Sequence, residues 1–103
     1  MSKIWFVTGA SRGLGRKIVE AALADGDSVV ATARDVSTFN DLVVEYGERI
    51  LPLPMDVTDI DAVNYAVAKG HENFGHYDVI VNNAGYGNTA ALKMSLLRIF
   101  TNK

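Results

Sequence analysis

Four short runs of β-favouring, mostly apolar residues alternate with stretches whose apolar residues recur at helical spacing, and few folds are open to such a chain. Ile4 to Thr8, Ser28 to Ala33, Ile50 to Met55 and Asp78 to Val81 read as strands. Between them, Leu14, Ile18, Ala21 and Ala22 predict a first helical stripe closed by Gly26. Phe39, Leu42, Val43 and Tyr46 predict a second, stopped by Gly47. Val63, Val67, Gly70 and Phe74 predict a third, capped by Thr58 or Asp59 and ending near Gly75. Strands that are continuously apolar, separated by helices of about a dozen residues, belong to a parallel sheet covered on both faces. The expected fold class is therefore α/β, a doubly wound parallel sheet of about four strands. Pro52 and Pro54 put the third strand at an edge, because proline cannot donate to a ladder.

Size and charge narrow the function classes. At 103 residues the chain suits one domain, 1–103, since domains typically run about 100 to 150 residues. A chain this small buries roughly 60 to 70% of its unfolded surface, enough for a modest core. With no cysteine there is no disulfide framework, thiolate metal site or cysteine nucleophile, and a reducing compartment is the default. The apolar run at Ile4 to Val7 is too short for a signal-peptide core or a membrane span, which points to the cytoplasm and to no membrane partner. A net charge of −2 lacks the basic footprint of a nucleic-acid binder. No metal site is expected, because neither His71 nor His76 has a second ligand at metal spacing; near a helix end such residues cap carbonyls or face solvent.

The first strand runs into Gly9-Ala10-Ser11-Arg12-Gly13-Leu14-Gly15. A turn passing directly from strand to helix presents backbone N–H groups and the positive helix end to an anion, and phosphate is the obvious ligand. Gly9 permits the tight turn, Gly13 lets the backbone approach a pyrophosphate, and Gly15 lets the helix pack against the sheet. The spacing is neither Gly-x-Gly-x-x-Gly nor a P-loop, and alone it also fits an ordinary glycine-rich turn.

Three motifs in order go further. Thr8-Gly9-Ala10-Ser11-Arg12-Gly13-Leu14-Gly15, Asp56-Val57 after the third strand, and Asn82-Asn83-Ala84-Gly85 after the fourth resemble the short-chain dehydrogenase/reductase family over residues 3 to about 87. The resemblance implies a Rossmann-like sheet of order 3-2-1-4 and a nicotinamide dinucleotide cofactor. It places the pyrophosphate on Gly9, Ser11, Gly13, Leu14 and Gly15, the adenine on Asp56 and Val57, and the adenosine ribose and nicotinamide side on Asn83, Ala84 and Gly85. Arginine after a Rossmann second strand accommodates the 2′-phosphate of NADP, whereas an acidic residue binds the 2′-OH of NAD. Here Arg34 follows Thr32-Ala33, and Arg12 adds a second planar fork of donors. NADP(H) is expected over NAD(H), with Asp35 the contrary feature.

The resemblance also implies a catalytic serine after a fifth strand and a Tyr-x-x-x-Lys pair on the helix that follows, and the 103 residues are expected to stop before either position. No catalytic residue is assigned. Tyr65 and Lys69 match the Tyr-x-x-x-Lys spacing but lie on the third helix, before the fourth strand, away from the strand edge where ligands bind. The chain therefore reads as the cofactor-binding, truncated front of an oxidoreductase acting on a carbonyl or alcohol, inactive alone; a non-catalytic nucleotide-binding module and a non-functional truncated product stay open as alternatives. An unpaired fourth strand would invite self-association. Trp5 and Phe6 are expected in the core, and Tyr86 either borders the nicotinamide pocket or lies on an exposed loop. The tail, 86–103, carries three basic residues and none of the twelve acidic ones. Its Leu92, Leu96, Ile99 and Phe100 predict an amphipathic helix that needs a surface to lie on. Thr101-Asn102 imitates a family pair but arrives about one helical turn too soon, and no role is carried over to Asn102.

Overall fold

The computed structural model describes residues 2–83 and 92–97. The chain runs β1 (Ile4–Val7), α1 (Gly13–Ala24), β2 (Ser28–Ala33), a 3-10 turn (Val36–Phe39), α2 (Asn40–Tyr46), a second 3-10 turn (Gly47–Arg49), β3 (Ile50–Pro54), α3 (Ile60–Phe74) and β4 (Val79–Val81). All pairings are parallel and the order is β3-β2-β1-β4. This is the Rossmann-like, doubly wound sheet expected from the sequence. The first, third and fourth strands are each one residue shorter than expected: Thr8, Met55 and Asp78 fall just outside the ladder.

Alternation along each strand divides the apolar residues between two cores, one on each face of the sheet. Val7, Val29, Ala31, Ala33 and Ile50 pack with Val19, Ala22 and Leu23 of α1, and with Phe39 and Leu42. Phe6, Val30 and Leu53 pack on the other face with Val63, Ala66 and Val67 of α3. The β3 prolines sit at the sheet edge, with Pro52 opposite Ala31 and Pro54 opposite Ala33.

The helix ends follow local chemistry. Asp59 caps α3, its carboxylate accepting from the N–H groups of Asp61 at 3.1 Å and Ala62 at 3.2 Å. Gly75 then ends the helix at φ +92°, a left-handed conformation that suits a residue without a Cβ. The α1 stripe differs from the expectation. Its buried residues are Gly15, Val19, Ala22 and Leu23, whereas Leu14 is 66% exposed and Ala21 faces solvent. The inward face is rotated by about one residue because a glycine occupies the closest approach.

Phe6 is fully buried, with its ring edge-on to Tyr77 at 5.3 Å. Trp5 is partly buried and packs against the α1-side core, as expected, with its indole N–H donating to Asp27 at 2.9 Å. Residues 92–97 are helical, and Leu92 and Leu96 lie against the α3-side core, the surface that the amphipathic pattern required. Ile99, Phe100, Thr101 and Asn102 lie outside the described residues.

Candidate functional site

The C-terminal ends of the strands are laced together by short polar contacts. Thr8, buried just beyond β1, donates its N–H to the Val81 carbonyl at 3.0 Å. Its hydroxyl donates to the Asn82 side-chain oxygen at 3.1 Å and accepts from the Asn83 N–H at 2.9 Å. The Asn83 amide in turn donates to the Gly9 carbonyl at 3.2 Å, joining the segment after β4 to the turn after β1. On the other side, the Ala10 N–H reaches the Thr32 carbonyl at 3.0 Å and the Met55 N–H reaches the Ala33 carbonyl at 2.9 Å.

This lacing frames a cleft of about 780 Å³ lined by residues that include Gly9, Ser11, Arg12, Gly13, Leu14 and Asn83 on one side. Residues after β2 and β3 complete the wall, among them Arg34, Asp35 and Val57. The volume lies within the range of ordinary small-molecule sites, roughly 300 to 1,000 Å³. Gly9 (φ +59°) and Gly13 (φ +62°) adopt left-handed conformations that a side chain would strain. A Cβ at Gly13 would meet nothing within 4 Å, so the backbone there stands open to the cleft. Gly15 lies behind the lining: a Cβ there would collide with the Gly9 carbonyl and come within 2.6 Å of the Asn83 amide nitrogen. Arg12, the residue before α1, makes no side-chain cap, and the first turn holds no acidic residue. The opening N–H groups of a 12-residue helix are left to an anion.

Charge is placed unevenly around the rim. The Arg34 side chain is 79% exposed, and one guanidinium nitrogen lies 3.8 Å from Asp56. The Asp56 carboxylate accepts from the N–H of Thr58 at 2.9 Å and its hydroxyl at 2.7 Å. These bonds, reinforced by Arg34, hold its pKa below the usual carboxylate value. Asp35 is held down similarly by Ser37, whose hydroxyl donates at 2.6 Å and whose N–H donates at 3.0 Å. Its carboxylate is therefore engaged in capping the 3-10 turn.

Nine of the residues singled out in the sequence line the cleft: Gly9, Ser11, Arg12, Gly13, Leu14, Arg34, Val57 and Asn83, with Asp35 as the contrary feature. Gly15 and Asp56 stand behind or beside it, and Ala84, Gly85 and Tyr86 lie outside the described residues. Sequence reasoning missed Ala33, Thr38 and Met55, which also line it. Their signal was position, each falling at or soon after the C-terminal end of a strand. Tyr65 and Lys69 do not line the cleft; Tyr65 is 58% exposed and Lys69 lies 3.9 Å from Glu72. The His71 carbonyl accepts the N–H of Gly75, and the His76 ring lies 3.1 Å from Asp78. Among the described residues no three His, Asp or Glu side chains gather as metal ligands, and no helix is long and apolar enough to cross a membrane.

Comparison with known proteins agrees with the sheet and the turn. The family model described as short chain dehydrogenase matches residues 3–100, running past the last recognisable motif and through most of the acid-free tail. Oxidoreductase BOA17 of Botryotinia fuckeliana is 57% identical over 94 residues, 90% of this chain and 34% of that protein. A short-chain dehydrogenase from Streptomyces avermitilis superposes with a TM-score of 0.89 at 35% identity, over 99% of this chain and 46% of that one. Two other solved neighbours hold different dinucleotides. The 3-ketoacyl-(acyl-carrier-protein) reductase of Brucella melitensis is complexed with NADH (32% identity, TM-score 0.74, 82% of this chain and 35% of that one). The L-sorbose reductase of Gluconobacter frateurii is complexed with NADPH and L-sorbose (27%, 0.78, 94% and 45%). This chain belongs to the short-chain dehydrogenase family, whose members use nicotinamide dinucleotides, and it spans about a third of the length of the BOA17 relative.

Proposed function

We propose that the chain binds NADP(H) in preference to NAD(H), as the cofactor-binding part of an oxidoreductase that interconverts a carbonyl and an alcohol. The observation that carries this reading is the shared cleft of Arg12 and Arg34 with the open N-terminus of α1. Two guanidinium forks suit the dianionic 2′-phosphate, and the helix end suits the pyrophosphate. Asp35, the one carboxylate among the described lining residues, is turned to Ser37 and so competes little with a 2′-phosphate. When bound, the nicotinamide supplies or accepts a hydride; the residues of this chain hold and orient the dinucleotide that carries it. Among the described residues the lining contains no tyrosine or lysine, and no Tyr-x-x-x-Lys follows Asn83 within the 103 residues. The 103 residues are accordingly proposed to bind cofactor as a single domain without turning over substrate, since proton transfer needs a positioned acid or base. The cysteine-free composition supports the cytoplasm as their location.

The test is a pair of dinucleotide titrations by calorimetry. Wild type should bind NADPH more tightly than NADH. Arg34→Ala should weaken NADPH about tenfold, the worth of one hydrogen bond to a charged group, and NADH by no more than about twofold. Tighter binding of NADH by the wild-type chain would sink the preference.

A further inference from the structure

Arg16 lies outside the cleft on α1, yet it ties that helix to the segment forming the opposite rim. Its Nε donates to Glu20 at 3.0 Å on the same helix. Nη1 donates to the Thr38 carbonyl at 2.7 Å, and Nη2 to the Asp41 carboxylate at 2.5 Å. All three guanidinium nitrogens are directed, and two of them grip the stretch that follows β2. Thr38 itself lines the cleft. Its hydroxyl donates to the Asp35 carbonyl at 3.0 Å, and the Asp35 carboxylate is closed onto Ser37. Arg34, Asp35 and Thr38 thus lie on one short segment, and Arg16 holds that segment to α1 by a side chain only 21% exposed.

Resting on the NADP(H) reading above, we infer that Arg16 is a positioning residue for cofactor discrimination, setting the span between the α1 N-terminus and the Arg34–Thr38 rim. The pyrophosphate is common to both dinucleotides and would rest on the glycine turn, which is held by Thr8 and Asn83; Arg16 meets that turn through its backbone N–H, on the Arg12 carbonyl at 3.4 Å, while its guanidinium is directed to Glu20, Thr38 and Asp41. The 2′-phosphate is present in only one of them and would meet the rim that Arg16 fixes. Loosening the rim therefore changes one affinity and spares the other. Lysine cannot replace the fork, because one ammonium cannot satisfy a helix carboxylate, a carbonyl and a second carboxylate in these three directions. The ion-pair partners Glu20 and Asp41 are 48% and 66% exposed, so the pairs themselves stabilise little and the variants should fold.

The experiment titrates the full chain with NADPH and with NADH by calorimetry, for wild type, Arg16→Gln, Arg16→Lys and Asp41→Ala, with melting temperatures recorded alongside. Arg16→Gln should weaken NADPH roughly tenfold while NADH changes by no more than about twofold. Arg16→Lys should fail to restore the ratio, and Asp41→Ala, which leaves Arg16 on the Thr38 carbonyl, should shift it in the same direction by less. Equal weakening of both dinucleotides would make Arg16 merely structural, and an unchanged ratio would likewise overturn the proposal. Should Arg16→Gln fail to fold, the Lys and Asp41 variants decide by the same ratio. A wild-type chain that binds neither dinucleotide would overturn the reading of the cleft itself. One that binds while its variants keep the wild-type ratio would overturn only the role of Arg16.

Discussion

Gly15 and Asp27 show how single residues serve opposite ends of the sheet. At Gly15 an added methyl would strike the Gly9 backbone carbonyl, which cannot swing aside as a side chain can. Alanine favours a helix interior over glycine by about 1 kcal/mol, but overpacking a tight contact typically costs about 1 to 3 kcal/mol. Gly15→Ala should therefore lower the urea midpoint and weaken dinucleotide binding; unchanged stability would mean that the close approach is not limiting. This role was legible in the sequence, because a glycine two residues after another in a strand-to-helix turn has a physical reason to be there. Asp27 was not legible. Its carboxylate accepts from the Lys3 N–H at 2.9 Å and the Trp5 indole at 2.9 Å, joining the approach to β2 with β1. Those bonds, the Lys3 backbone first, hold its pKa below the usual carboxylate value. A depressed folded-state pKa contributes stability that is present above the unfolded value of about 3.9 and is lost as pH falls through the folded value. Asp27→Asn should consequently melt below wild type at neutral pH, and the gap should close on acidification. A gap independent of pH would show that the charge contributes nothing.

At the scale of elements, ends were easier to read than faces. Asp59, Gly26, Gly47 and Gly75 mark helix boundaries through local chemistry, and local chemistry is what a sequence displays. Asp59→Ala removes acceptor contacts to the N–H groups of Asp61 and Ala62. It should cost about 1 kcal/mol, read as a lower urea midpoint at unchanged m-value. A loss below a few tenths would assign the α3 start to packing alone. The inward face of α1 was misread because apolar periodicity counts Leu14 and passes over Gly15. Leu14 lines the cleft, where an apolar side chain can lie against a ligand, and Gly15 is the residue that approaches the sheet. A similar close fit occurs on α3. A Cβ at Gly70 would meet the Tyr77 hydroxyl and lie 2.8 Å from Val30, so a glycine inside the helical pattern belongs to its packed face.

For the whole molecule, a four-stranded sheet with a core on each face leaves β4 at one edge, and no further strand pairs with it among the described residues. An edge with open N–H and C=O groups is a template for another strand. The chain on its own should self-associate as concentration rises, measured by sedimentation equilibrium; a monodisperse monomer throughout would count against this. The architecture was legible because its determinants are local and repeated: continuous apolar strands, helical stripes, and prolines that confine β3 to an edge. Sequence alone thus determined the number of strands, with their order implied by the resemblance, and the tight turn at Gly9 and the close approach at Gly15. Tertiary structure decided which α1 residues face inward, that Thr38 and Met55 join the cleft wall, and that Arg16 and Asp27 span between elements. Those outcomes depend on contacts between residues more than twenty positions apart. Neither periodicity nor a motif carries that distance, because it is settled only when both faces of the sheet are packed.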